Sequence, residues 1–503
     1  MAVTESRTDS NGRARELLQP IEHIVVIMLE NRSFDHMLGY LALQEHQLPD
    51  HGELPTDVNG LDSSFSNSFA GQLYKPEPMD ENEFLSHRVD PPHDFEHVAT
   101  QIAGGSMSGF VEALANSLQE KGRFAEANDP KILKTVMGYM TPDQVPVYDH
   151  LVRNFCLCDR FFCSVPGPTL PNRFFSVTGT SSGVTSNIDL IVGHFGKFKS
   201  LFRHVAPDSW RWYSSDPGIL RAVDEQFMFD QAGSDHFAYF DQLTESQPRS
   251  FLRDVLGDSQ TDPSLPAVAW IDPNFNMKDI TGIPGLDGPG SNDDHPPSPV
   301  ILGQKLAHKL YRAIGESRYW SSSLIVITYD EHGGFADHEP PPDGFGPRIP
   351  VLLVSPHVKR GVCHKLFDHA SLIKTILLRF SDDTALSEMP PAVQVASDFS
   401  EVMRTDGSTV PYCEIVAPGA AALTPGDLEP AFLPNDGSTI ARTISFADSE
   451  LTDLQKDIVR GLAIPLRTGY LFMRRARKWP WLTKLAHLLA RVPKRERLLP
   501  RRP

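Results

Sequence analysis

The chain has 503 residues, 40% of them hydrophobic and 22% charged, with a formal net charge of −17. That length can bury a large core and exceeds what one ordinary domain needs, and the composition is that of a globular chain. No apolar run approaches the roughly 18–20 residues of a membrane-spanning helix. From Arg467 to Pro503 twelve Lys or Arg face one acid, Glu496, a local +11 that leaves about −28 on the rest. An acidic body of that kind argues against nucleic acid as a partner.

Residues 1–20 are polar and lack the apolar stretch of a secretory signal. They are expected as a flexible leader with a short helix from Ala14 to Gln19. The implied location is cytoplasmic or peripheral to a membrane, with export by another route left open. Five cysteines, an odd number in a long chain, fit free thiols better than a disulfide framework.

Glu22 to Leu29 is an apolar, β-branched run and predicts a buried parallel strand. It ends abruptly at Glu30, Asn31, Arg32 and Ser33, and a helix is expected from Phe34 to Leu43. Residues 49–94 are rich in Pro, Asp, Ser and Asn with little periodicity, as in an insertion or lid. Helices follow from Gly109 to Glu126 and from Thr141 to Asn154, then a strand from Cys156 to Ser164, the loop Pro166 to Arg173, and a helix from Arg173 to Thr178. Ala267 to Ile271 predicts another strand, residues 272–299 a long loop, and Ile301 to Ile314 an amphipathic helix. A strand at Leu324 to Thr328 ends in Asp330 and Glu331; a strand at Ile349 to Ser355 and a helix at His369 to Phe380 complete the alternation. Such alternation implies an α/β fold, a mostly parallel sheet covered by helices on both faces. Beyond Phe399 it weakens to one helix, Glu450 to Ala463, and the basic tail. The expected divisions are a leader (1–20), a catalytic domain (21–400), a C-terminal extension (401–465) and the tail (466–503).

Two apolar strands thus end in adjacent oxygen donors, Glu30 with Asn31 and Asp330 with Glu331. In open α/β sheets ligands bind beyond the carboxyl ends of strands. Carboxylates and an amide oxygen are hard ligands suited to one divalent ion, Mg²⁺, Mn²⁺ or Ca²⁺. Strand ends are also acidic where they meet water or cap a helix, so each pair alone says less than both together. The loop ending Thr169-Leu170-Pro171-Asn172-Arg173 sets a hydroxyl at a strand-to-helix turn. A hydroxyl needs a base or a metal to become a nucleophile; a threonine there could equally be an N-cap. Arg173, four residues on, could contact Thr169 or a phosphate bidentately. Of the 19 histidines, His93, His295, His332 and His338 lie in polar loops near these motifs, where a phosphate ester needs donors and a proton for its leaving group.

The segment Glu30 to His36 resembles the opening motif of the bacterial and plant non-specific phospholipase C and acid phosphatase family, a phosphoesterase family. Gly167 to Arg173, Asn292 to Pro297, Tyr329 to Phe335, Asp337 with His338, and Asp368 to Ser371 match its later motifs in order, over about residues 21–400. The resemblance implies an alkaline-phosphatase-like three-layer α/β/α sandwich. It implies that Glu30, Asn31, Asp330 and Glu331 hold a metal, with Thr169 both ligand and nucleophile through a phosphothreonine intermediate. His93 and His295 would bind phosphate or move protons, with His332, His338 and Asn172 beside the substrate. A further family histidine has no clear counterpart; His194 and His236 are candidates. The nucleophile loop also resembles the sulfatase pattern, but threonine cannot supply the aldehyde a sulfatase needs. The expected activity is phospholipase C-type hydrolysis. The alternatives are an acid phosphatase and a non-catalytic lipid-binding protein. Basic residues interleaved with Trp479, Trp481 and Phe472 suit residues 467–503 to peripheral membrane contact, or to a solubilising or partner-binding tail.

Overall fold

In strands β1 (His23–Leu29) and β6 (Ser323–Tyr329) every residue but His23 is buried. Successive side chains point to opposite sheet faces, so both faces are covered. The computed structural model describes residues 2–46, 55–62, 64–80, 89–214, 218–227, 236–238, 240, 250–257, 263–275, 291–296 and 298–415. Six further strands complete the sheet: β2 (Cys156–Cys158), β3 (Trp210–Tyr213), β4 (Phe237–Ala238), β5 (Val268–Ile271), β7 (Val351–Val354) and β8 (Gly361–Cys363). Their order is β8-β2-β7-β6-β1-β5-β3-β4. β7 is antiparallel to β6 and β2, and the other pairings are parallel.

The main helices are α1 (Ala2–Leu18), α2 (Phe34–Leu38), α3 (Phe95–Ile102), α4 (Phe110–Glu120), α5 (Pro146–Asn154), α6 (Thr169–Thr178), α7 (Val300–Gly315) and α8 (His369–Phe380). α8 packs on α6 and α1, while α5 packs on α7 and against β2, β7 and β8. With both sheet faces buried, these two helix groups are the outer layers of an α/β/α sandwich. The sandwich shares one apolar core, and a smaller core of Tyr74, Met107, Phe110, Val111, Leu114 and Leu118 lies beside it.

Several expected elements shift. Residues 1–20, expected as a flexible leader, contribute α1: Ala14 and Leu18 are buried, and the Arg15 guanidinium donates to the carbonyls of Leu378 and Ser381 at the end of α8. The helix expected from Arg173 starts at Thr169, because Pro171 falls in the first turn, where a missing N–H costs nothing. α5 starts at Pro146 for the same reason. The helix after β1 stops at Leu38 and continues as a 3₁₀ turn, Gly39–Ala42. In the expected lid, the described part forms a hairpin, Asn67–Phe69 with Gln72–Tyr74, and Glu77–Pro78 pairs with Gly138–Tyr139. The helix expected at Glu450 to Ala463 and the tail lie outside the described residues.

Candidate active site

Parallel pairing of β1 with β6 sets Leu29 opposite Tyr329. The next residues, Glu30–Asn31 and Asp330–Glu331, therefore leave the sheet side by side at its carboxyl edge, all buried. The Asn31 N–H donates to Asp330 Oδ1 at 3.1 Å, and the Arg32 N–H to the Glu331 carbonyl at 3.1 Å. Asn31 turns out of the strand with φ 60°, a left-handed conformation that asparagine tolerates better than most residues. Behind it a Cβ on Gly333 would lie 2.0 Å from the Asn31 carbonyl oxygen, so this close approach requires glycine.

Thr169 opens α6, and Pro168, not Thr169, is the N-cap residue. The threonine hydroxyl is therefore not spent on its own helix. It is fully buried and lies 3.5 Å from Asn31 Oδ1, at the outer limit of a hydrogen bond. The Asn31 amide is itself oriented: its Nδ2 lies 3.2 Å from His93 Nε2, and His93 Nδ1 lies 2.8 Å from the Pro91 carbonyl. A carbonyl only accepts, so the His93 proton sits on Nδ1 and Nε2 accepts from the amide. His93 thereby turns the Asn31 oxygen toward Thr169. Asn172 braces the loop from within, accepting from the Val165 N–H and donating to the carbonyls of Val165, Gly167 and Pro168. Expected beside the substrate, it has its side chain occupied as a positioning residue.

Arg173, expected to contact Thr169 or a phosphate, bonds carboxylates and strand-end carbonyls. It is 3% exposed and lies beneath the carboxylates. Its Nε is 3.1 Å from both Glu30 Oε1 and Asp330 Oδ2, its Nη1 3.5 Å from Asp272 Oδ1, and its Nη2 bonds the carbonyls of Met28 and Leu29. One guanidinium serves a crowded acidic site. Burial drives the Glu30 pKa well above the usual carboxylate range; Arg173 opposes this, while Asp330, Asp293 and Glu331 add to it. Burial likewise raises Asp330 to about 6, with Glu331 adding and Arg173 opposing. Glu331 goes the other way: burial disfavours its charge, but His93 and His332 outweigh that and lower its pKa. Glu331 Oε1 has no hydrogen-bond partner among the described residues. Excess buried negative charge, an orphaned carboxylate oxygen, and the nearby Asn31 amide and Thr169 hydroxyl oxygens make a donor set with the chemistry a hard divalent cation takes, although Glu30, Asp330 and Glu331 do not each bring an oxygen within 4.8 Å of the others.

His295 enters from the loop before α7. Its Nδ1 lies 2.6 Å from the Pro296 carbonyl, and its Nε2 has no hydrogen-bond partner among the described residues, with Asp90 Oδ1 4.0 Å away. Its ring lies 6.0 Å from that of His93. His332 is buried behind Glu331, its Nδ1 3.2 Å from Glu331 Oε2 and its Nε2 2.7 Å from Gln101 Oε1. His338 belongs to a second cluster, bonded to Asp35 Oδ2 at 2.6 Å and Asn59 Oδ1 at 3.0 Å. Among the described residues, Asp35, Asp337 and His338 are the acidic and histidine ligand atoms that gather within 4.8 Å. Arg348 already neutralises that group, bonding Asp35 and Asp337. Of the two further candidates, His236 stacks on Trp210 and His194 contacts the Asp189 carbonyl, so neither is placed among these groups.

Two residues were missed. Asp272 follows β5, the third parallel strand; it faces Arg173 while Trp212 Nε1 and the Ile219 N–H hold its other oxygen. Its signal was the same strand-then-acid pattern read at Glu30 and Asp330. Asp293 accepts from the His295 N–H, and its own carbonyl accepts from the Glu30 N–H, tying the His295 loop to the end of β1.

Residues 21–381 match the Phosphoesterase family. Non-specific phospholipase C6 of Arabidopsis thaliana is 32% identical over 397 residues, 72% of this chain and 68% of its own length. Non-specific phospholipase C1 of the same plant is 30% identical, over 74% of this chain and 69% of its own. Non-hemolytic phospholipase C of Burkholderia pseudomallei is 26% identical, over 76% and 58%.

Proposed function

We propose, from the premise that this chain belongs to the phosphoesterase family and hydrolyses phosphoric ester bonds, that its substrate is a phospholipid, cleaved to diacylglycerol and a phosphorylated head group. The observation that carries the reading is the buried Thr169 hydroxyl, 3.5 Å from the Asn31 Oδ1 whose amide His93 orients at the end of β1. The relatives' names, phospholipases C, support the diester over a monoester.

In this reading Thr169 Oγ attacks phosphorus, and the bond to the diacylglycerol oxygen breaks. The proton released by the Thr169 hydroxyl is taken up at His295 Nε2, while the Nδ1–H stays on the Pro296 carbonyl, and passes from Nε2 to the departing oxygen. Water then cleaves the phosphothreonine and restores the hydroxyl. The N-terminus of α6 adds a positive field where the phosphate would sit. Glu30, Asn31, Asp330, Glu331 and Thr169 would hold the cation, Mg²⁺, Mn²⁺ or Ca²⁺, which when bound supplies positive charge for the phosphate oxygens and lowers the hydroxyl pKa. Arg173 keeps Glu30 and Asp330 apart in charge and fixed in place.

Turnover of p-nitrophenylphosphorylcholine against p-nitrophenyl phosphate, by wild type and Thr169→Ala, tests this. The wild type should prefer the diester, and the variant should fall by roughly 10⁴-fold or more. Near wild-type turnover by Thr169→Ala ends the mechanism, and turnover of the monoester alone makes the chain an acid phosphatase. Peripheral membrane contact through residues 467–503 belongs to the same proposal. Deleting the chain after Arg467 should weaken sedimentation with anionic liposomes, and unchanged sedimentation removes the tail from the account.

A further inference from the structure

The segment after the nucleophile's helix is pinned to it at both ends. Asn187 Oδ1 accepts the Leu170 N–H at 2.8 Å, in the first turn of α6. At the other end the Phe198 ring packs edge-on against Phe174 of the same helix, 5.4 Å between centroids. Between these anchors Leu190 and Ile191 turn inward, through a π-helical turn, Leu190–His194. Such turns are often found at functional sites. Val192 and Phe195 turn outward, 45% and 42% exposed, followed by exposed Lys197 and Lys199.

Phe95, 40% exposed and two residues after His93, also approaches the Thr169 loop. A Cβ on Gly167 would lie 3.3 Å from the Thr185 carbonyl oxygen and 4.0 Å from Phe95 Cβ. Phe95 and the chain entering the pinned segment therefore both approach Gly167, in the loop that carries Thr169. Large apolar side chains held out in water beside a catalytic loop, with cations interleaved, have the chemistry of an interfacial element. Nothing in the described residues can cross a bilayer as a helix, so contact by this element would be superficial.

We propose that Val192, Phe195 and Phe95, with Lys197 and Lys199, seat the enzyme on the surface of an anionic phospholipid bilayer with the Thr169 loop facing the headgroups. This deepens the phospholipase reading and rests on it. The apolar side chains enter the acyl boundary and the lysines meet anionic headgroups.

The test uses the full chain and the variant Val192→Asp/Phe195→Asp, with vesicles of phosphatidylcholine alone or mixed with phosphatidylglycerol. Sedimentation with mixed vesicles and hydrolysis of vesicle lipid should both fall about tenfold or more, while p-nitrophenylphosphorylcholine turnover is unchanged. The basic tail is common to both proteins, so the ratio reads the exposed ridge of Val192 and Phe195 alone. Lys199→Glu, on the exposed face, should weaken binding to the mixed vesicles and leave binding to phosphatidylcholine unaltered, whether or not the double variant folds; unchanged binding of Lys199→Glu to mixed vesicles also overturns the proposal. Wild-type vesicle binding by the folded double variant overturns the proposal. So does a change in sedimentation-velocity self-association with vesicle binding intact, which would assign the ridge to a second copy of the chain. Absence of wild-type turnover on both soluble diester and vesicles would instead sink the phospholipase reading, while the vesicle-binding ratio still decides the surface.

Discussion

Replacing Arg173 by methionine removes the guanidinium that bonds Glu30 and Asp330 while keeping most of its apolar volume. Glu30 Oε1 and Asp330 Oδ2, each 3.1 Å from Nε, lose their shared donor, and Asp272 loses its facing charge. Removing one partner of a buried ion pair costs about 3–5 kcal/mol, and the two lost bonds to the carbonyls of Met28 and Leu29 about 1 kcal/mol each. Proton uptake limits the loss, because Asp330 already titrates at about 6 with the guanidinium present. Without Arg173 the folded pKa values of Glu30 and Asp330 rise further above their unfolded values. The folded state then binds more protons than the unfolded one, so stability falls as pH rises through that window. The variant should therefore lose about 3–5 kcal/mol at pH 8 in the presence of a chelator, and less at pH 5. Urea unfolding followed by tryptophan fluorescence at both pH values measures this. A loss under about 1 kcal/mol at pH 8, or a larger loss at pH 5, would refute the reasoning.

Asn172→Ala should cost about 2–4 kcal/mol in urea unfolding by stranding four groups of the Thr169 loop, and should lower kcat more than it raises KM. Asp272→Asn keeps the Trp212 bond but removes the charge facing Arg173, so kcat should fall by about tenfold with thermal stability little changed. Burial lowers the His338 pKa, but bonding to Asp35 outweighs it and the net shift is upward. Its stabilising contribution is thus full below the unfolded value and lost as pH rises through the folded one. His338→Gln should cost about 1–2 kcal/mol at pH 6 and less at pH 9, by the same urea titration.

The strands flanking the site were legible because β1 and β6 are uninterrupted apolar runs ending in acids. Their pairing was not: partners 300 residues apart carry no local signal of the register that sets Leu29 beside Tyr329. β3, β4 and β8 escaped notice because they are two to four residues long and pair at or near the sheet's ends. The prolines around Thr169 read as loop, although one of them sits where a helix's first turn accepts it. In sequence Arg173 suits Thr169 or a phosphate equally, because a guanidinium fits any bidentate oxyanion; only the fold shows that carboxylates and strand-end carbonyls claim it. Likewise His338, one motif downstream of Glu331, lies beside Asp35 because Arg348, bonded to both Asp35 and Asp337, draws that carboxylate into a separate buried network.

The central claim is that two strand ends and Thr169 gather around one cation, with the threonine hydroxyl as nucleophile. A crystal structure with Mn²⁺ and vanadate, the metal located by anomalous scattering, tests it most directly. The account predicts manganese among Glu30, Asn31, Asp330 and Glu331, with vanadium bonded to Thr169 Oγ. Manganese held by Asp35, Asp337 and His338, or vanadate bound away from Thr169, would contradict it.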